Sequence, residues 1–125
     1  MAKHKMELGE FSFNKIKSGR KLDMRLFDKK RQALKIGDTI EYINYNNPVE
    51  HMECKVHGFA VFDNFSMMID CLTPNLMGYD DKEEILIRLN RAYSIEQQKD
   101  FNVIAIFIED ITPPLLEVLR GAKER

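Results

Sequence analysis

LDMRLFDKKRQALKIGDTIEYINYNNPVEHMECKVHGFAVF, residues 22–62, holds three strand-like runs in succession with no long helical pattern between them. In the first, Leu22, Met24 and Leu26 point one way and Asp23 and Arg25 the other, the period of a half-buried strand with an acid and a base on one face. A loop through Lys29–Lys35 leads to the β-rich run Thr39–Tyr45, which stops at the turn residues Asn46-Asn47-Pro48. From Val49 to Phe62 the alternation resumes, with Gly58 placed for a bulge or bend in a long strand. Strands that follow one another through turns pair antiparallel, whereas parallel crossovers need a helix between strands. The expected fold is therefore α+β: a small, partly open β-barrel, mostly antiparallel and flanked by helices.

The flanks supply those helices. Lys3–Leu8 alternates, with Met6 and Leu8 on one face, as a first strand. Phe11, Phe13 and Ile16 followed by Gly19 read as a short helix closed by a left-handed glycine. Asp63 or Asn64 is placed to cap a helix over Phe65–Leu72, which Thr73-Pro74 ends. Asp80 and Asp81 open a second helix, to about Tyr93, with Ile85, Leu86 and Leu89 as its buried stripe. Ser94 and Gln97 form a capping-box pattern for a turn of helix to Asp100, and Asn102–Glu109 is apolar enough for a central strand. Thr112-Pro113 starts a last helix, to about Gly121, whose Leu115, Leu116 and Leu119 close the barrel or meet a second copy. Without repeats or a low-complexity linker, residues 1–125 read as a single domain.

Charge points to function. Residues 1–37 hold eleven Lys and Arg against four Asp and Glu, and residues 38–125 hold eight against sixteen, so a net charge of −1 conceals a dipole. Eight of the cations lie between Lys17 and Lys35, with only Asp23 and Asp28 among them. Such local density marks a site for an anionic partner. The N-terminus lacks the apolar segment of a signal peptide and no apolar run reaches membrane-spanning length, so the expected location is the cytoplasm, with Cys54 and Cys71 as reduced thiols. No cofactor motif is present. Metal binding is not expected either: no CxxC spacing occurs, and His51 and His57 on one strand face are about 20 Å apart at strand rise. Cys54, on the opposite face from both histidines, reads as a core thiol rather than a nucleophile.

Four blocks in order resemble the ASCH domain family. These are Ile16-Lys17-Ser18-Gly19 with the strand Arg20–Leu26, the turn Lys35–Ile40, Leu76-Met77-Gly78-Tyr79, and Tyr93-Ser94-Ile95-Glu96 leading to the strand Val103–Ile108. The resemblance spans residues 3 to about 110. It implies a PUA-like β-barrel, an RNA- or nucleotide-associated role, and a cleft lined by the lysine, acid and arginine of the second strand. The usual pattern is a lysine, two residues, an acid, one residue and an arginine. Here Lys21 lies two before Asp23, so either Arg20 takes the lysine position or the turn is one residue shorter. Some relatives hydrolyse acetylcytidine with a lysine and a threonine at this strand; Asp23 stands at the threonine position.

The candidate ligand-binding residues are thus Arg20, Lys21, Asp23 and Arg25, with Tyr79, Tyr93 and Ser94 from the later blocks. Arginine and lysine suit a phosphate or a base edge, Asp23 suits an exocyclic amine or a ribose hydroxyl, and loop-edge tyrosines suit base stacking. Lys29, Lys30 and Arg31 steer phosphates if they border the same cleft, and are otherwise a solvated loop. In a hydrolase, Lys21 would be base or nucleophile, with Arg20 and Arg25 lowering its pKa and Asp23 opposing them. A third reading is a protein-interaction module for an acidic partner. The plainest alternative is that Asp23 and Arg25 form a surface ion pair worth about 0–1 kcal/mol. Phe59, Phe62 and Phe65 read first as core.

Overall fold

The computed structural model describes residues 1–112. Five strands, β1 (Lys3–Leu8), β2 (Leu22–Leu26), β3 (Thr39–Asn44), β4 (His51–Phe62) and β5 (Val103–Asp110), form one sheet in the order β1-β3-β4-β5-β2. It is a mixed, strongly curled half-barrel flanked by helices. These are α1 (Glu10–Lys17), α2 (Lys29–Gln32), α3 (Phe65–Leu72), α4 (Lys82–Ala92) and α5 (Ile95–Phe101), with a 3-10 turn at Asn75–Met77. The final helix read over Pro113–Arg120 lies outside the described residues.

The pairings β3–β4, β4–β5 and β2–β5 are antiparallel, in keeping with a mostly antiparallel sheet. Two details depart from the sequence reading. β2 does not pair with its successor β3 but with β5, Asp23 opposite Ile106 and Arg25 opposite Ile104. β1 pairs in parallel with β3, Lys3 opposite Thr39. A single crossover through α1, β2 and α2 suffices for that parallel pair, and β5 is an interior strand, paired with β4 on one side and β2 on the other. The Lys29–Lys35 stretch also differs: its first half is α2, capped by Asp28 Oδ1, which accepts from the Arg31 amide at 3.2 Å.

Other local expectations are realised through the anticipated chemistry. Gly19 takes φ +124° after α1, where any other residue would be strained, and the ladder of β4 shifts register between Val56 and Gly58. Asn64, Asp81 and Ser94 cap α3, α4 and α5, the last in a complete capping box with Gln97.

At β2 and β5 both faces of the sheet are covered, which explains the unbroken apolar run of β5. Ile104, Ile106 and Ile108 face the barrel interior with Met6, Ile40, Tyr42 and Val56. Val103 and Ala105 face the opposite way, against a second core of Leu22, Met24, Phe65, Met68 and Ile85 under α3 and α4. Phe65 is fully buried and Phe62 partly so, while Phe59 remains 40% exposed. Cys54 is buried and its thiol is pushed up to about 12, chiefly by burial. Cys71 is exposed, and both cysteines are free thiols.

The N-terminal strand is pinned by Asp38. His4 Nε2 lies 2.9 Å from its Oδ2, and the Ala2 and Lys35 amides donate to its two oxygens at 3.0 Å each. The His4 contact first, then the Ala2 amide, pull the Asp38 carboxyl down to about 2. A carboxylate whose folded pKa is depressed stabilises the fold above its unfolded pKa, about 4, and loses that contribution as pH falls through about 2. Acid titration of stability between these values is therefore expected to be shallower in Asp38→Asn than in the parent, measured by urea melts at each pH. Equal slopes would contradict it.

Candidate functional site

β1 and β2 are the two edges of the curled sheet, and a side chain rather than a ladder joins them. Arg25, on β2, donates from Nη2 to the Glu7 carbonyl of β1 at 2.8 Å and from Nε to Asp23 Oδ2 at 2.9 Å. The Tyr42 hydroxyl of β3 donates to the same Asp23 oxygen at 2.7 Å. Asp23 and Arg25 are only 2% and 7% exposed, so the surface-pair alternative fails: the curl of the sheet places the polar face of β2 inside the seam. Burial pushes Asp23 up, but Arg25, the Tyr42 hydroxyl and Arg20 outweigh it and hold the carboxyl below the usual range. Arg25 is burdened by burial and raised overall by Asp23, so the pair is ionised. Tyr42 is pushed well above its ordinary value, first by burial and then by Asp23, and remains a neutral donor.

A cleft of about 400 Å³ opens at this seam. Its floor is Arg20, Asp23 and Arg25; its walls are the start of α1, with Phe11 and Ser12, and the inner face of α4, with Arg88 and Arg91. Tyr79 and Tyr93 complete it. The Phe11 and Tyr79 rings stack with centroids 6.0 Å apart, and the Arg88 guanidinium lies 3.8 Å from the Phe11 centroid. Lys15 Nζ stands 5.4 and 5.3 Å from the Phe11 and Tyr79 centroids. Among the described residues neither Arg20, Arg88 nor Arg91 has an ion-pair partner, and the buried Arg20 Nε makes no hydrogen bond. Burial pulls Arg20 down, and Asp23 counteracts this in part.

Chemically, the cleft offers guanidinium donors for an anion, a ring stack for a planar group, and a fixed acceptor. Asp23 Oδ2 is occupied twice, whereas no hydrogen bond engages Oδ1 among the described residues. Groups of these kinds can hold an anion and pack against a planar ring.

Five of the residues read from sequence meet here: Arg20, Asp23, Arg25, Tyr79 and Tyr93. Lys21 does not. It is exposed and opens onto an adjoining depression that shares only Arg20 with the cleft. Ser94 serves as a cap: its Oγ accepts from the Gln97 amide at 3.1 Å, and it does not line the cleft. Lys29 and Lys30 are exposed on α2, and Arg31 Nη1 donates to Asp28 at 2.9 Å. None of the three lines the cleft; Lys30 borders a smaller hollow beyond Glu7. His51 and His57 sit opposite Glu41 and Glu109, at 2.8 and 3.2 Å, and among the described residues no three His, Cys, Asp or Glu side chains come together.

Phe11, Arg88 and Arg91 escape a reading of the sequence. One signal was available for Arg88. Ile85, Arg88, Leu89 and Ala92 fall at helical spacing on one face of α4, so a cation interrupts its buried stripe.

No family model matches the sequence, and neither does any curated protein. Solved structures do. Protein PF0455 from Pyrococcus furiosus, known from a solution NMR structure, is 26% identical with a TM-score of 0.69; the match covers 90% of this chain and all of that one. The crystal structure of hypothetical protein PH0355 superposes with a TM-score of 0.76 at 30% identity, over 89% of this chain and 100% of the other. At that identity over the whole relative, the chain belongs to the family of hypothetical protein PH0355.

Proposed function

We propose that this is an RNA- or nucleotide-binding domain of the PUA-like ASCH type, with its ligand seated in the seam cleft. The observation that carries the reading is the meeting, in one cleft, of three arginines that have no ion-pair partner among the described residues with the stacked Phe11 and Tyr79 rings. Guanidinium groups bind phosphate oxygens in a fork, and aromatic rings stack on bases. Asp23 Oδ1 accepts from an exocyclic amine or a ribose hydroxyl, and Arg25 and Tyr42, both bonded to Oδ2, hold the carboxylate in place. Binding asks for no change in protonation, which suits an Asp23 held ionised and an Arg25 held cationic. The position of Lys21 outside the cleft supports binding over hydrolysis of a modified nucleoside, because a base or nucleophile needs hydrogen-bond reach of the reacting atom.

Amide NMR spectra recorded during titration with the nucleoside monophosphates, short single-stranded RNAs and acetylcytidine test the reading. Saturable shifts are expected at Phe11, Arg20, Asp23, Arg88 and Tyr93 with nucleotide ligands. Shifts with acetylcytidine accompanied by loss of its acetyl signal would replace binding by hydrolysis. Silence with every ligand would leave a protein-interaction module for an acidic partner.

A further inference from the structure

A second basic depression, about 480 Å³, adjoins the cleft across Arg20. Lys15, Ser18, Lys21, Asn75 and Gly78 line it with Arg20, and among the described residues no acidic side chain does. Three residues meet where the two adjoin. Lys15 donates from Nζ to the Gly78 carbonyl at 3.0 Å, and the aliphatic stems of Arg20 and Lys15 pass 3.6 and 3.7 Å from where a Gly78 Cβ would be. Gly78 has φ +84°, so the turn that shapes this divide favours glycine. Lys15 reaches both sides: it lines the depression, and its ammonium stands against the two rings of the cleft. Arg20 also belongs to both, and its buried Nε has no hydrogen-bond partner among the described residues.

The depression is not a helix-terminus artefact. It lies at the C-terminal end of α1, where the dipole disfavours anions, yet the last-turn carbonyls of Asn14, Lys15 and Ile16 already accept from the Ser18, Arg20 and Gly19 amides. Its positive character comes from three side chains, and no aromatic ring lines it. It thus offers sites for phosphate and ribose oxygens but no stacking surface. A free mononucleotide, with its base on Phe11 and its phosphate on the arginines, leaves this depression unused.

We infer that the ligand is a single-stranded oligonucleotide: one nucleotide occupies the cleft, the backbone crosses the divide at Arg20, and the adjacent phosphate is held by Lys21 and Lys15. This rests on the nucleotide-binding reading of the cleft and adds that the site is built for a polymer. It also gives Lys21 a role that its position outside the cleft otherwise lacks.

The test compares the four ribonucleoside monophosphates with the four corresponding homotrinucleotides by isothermal titration at two salt concentrations. The best trinucleotide is expected to bind at least about tenfold more tightly than its monomer, the size of one charge-assisted contact. Its affinity should also fall more steeply with salt, by about 0.7 in log–log slope per added phosphate contact. Lys21→Ala is expected to narrow the trinucleotide advantage to about twofold or less, whereas Arg88→Ala weakens monomer and trinucleotide alike. Monomer and trinucleotide binding with equal affinity would overturn the polymer inference and leave the nucleotide cleft standing. So would a Lys21→Ala variant that keeps the full ratio. Failure of every monomer and every trinucleotide to bind would overturn both.

Discussion

Asp23→Ala is expected to cost about 3–5 kcal/mol of folding stability, the loss seen when one member of a buried ion pair is removed. The substitution strands a guanidinium that is 7% exposed and leaves the Tyr42 hydroxyl without its acceptor. It also loosens the bond from Arg25 to the Glu7 carbonyl, which ties the two sheet edges together. The penalty therefore comes from an uncompensated buried charge more than from the net worth of the pair. Replacing all three polar partners at once, Asp23→Leu with Arg25→Met and Tyr42→Phe, is expected to recover part of the loss, since no stranded Arg25 charge or unpartnered Tyr42 hydroxyl remains, while the neighbouring Arg20 loses the Asp23 carboxylate. Urea unfolding of the single and triple variants measures both effects. A single variant that loses less than about 1 kcal/mol would mean that the pair behaves as a solvated surface bridge.

Arg20→Met is expected to separate function from folding. The side chain is 9% exposed and its Nε is buried without a hydrogen bond, a configuration that costs about 1–3 kcal/mol. Methionine keeps the aliphatic stem that lies against Gly78 and removes the unsatisfied donor. Asp23 keeps Arg25 and Tyr42, so the carboxylate stays partnered. Stability is expected to change by less than about 1 kcal/mol or to rise, while nucleotide affinity falls by about 10- to 100-fold, the worth of a charged hydrogen bond. Calorimetric titration and urea melts of the same preparation give both quantities. Loss of stability by several kcal/mol would make Arg20 a structural cation instead.

Asp23 and Arg25 show what a sequence does and does not disclose. The alternation of Leu22-Asp23-Met24-Arg25-Leu26 was legible, and it places Asp23 and Arg25 on one face. What alternation cannot show is that this face is buried as well, because that depends on the curl that brings β1 against β2 from a distant part of the chain. Strand identity was readable from local period, but partner choice was not: β2 joins β5, nearly eighty residues later, because both present apolar residues to α3 and α4. Caps were the most legible features, since Asn64, Asp81 and Ser94 act on amides within three residues of themselves. The cleft was half legible. Its floor comes from one contiguous segment, Arg20–Arg25, whereas its walls bring Phe11 of α1 and Arg88 of α4 together from opposite ends of the fold. The sequence places Phe11 with Phe13 and Ile16 in one short helix but does not separate their roles: Phe13 and Ile16 are buried, while Phe11 is 41% exposed and stacked on the cleft side. Charge density misled in one respect: the Lys29–Arg31 cluster is conspicuous in sequence, but α2 carries it away from the cleft.

The arginine side-chain Nε–Hε spectrum, recorded with and without saturating nucleoside monophosphate, tests the central claim most directly. Arg20 Nε has no hydrogen-bond partner among the described residues, Arg25 Nε is already bonded to Asp23, and the Arg88 guanidinium lies over Phe11. If the seam cleft is the nucleotide site, the Arg20 and Arg88 signals shift together and saturate with one affinity, while Arg25 moves little. If nucleotide shifts neither Arg20 nor Arg88, or moves only surface lysines and arginines without saturating, the cleft is not the site.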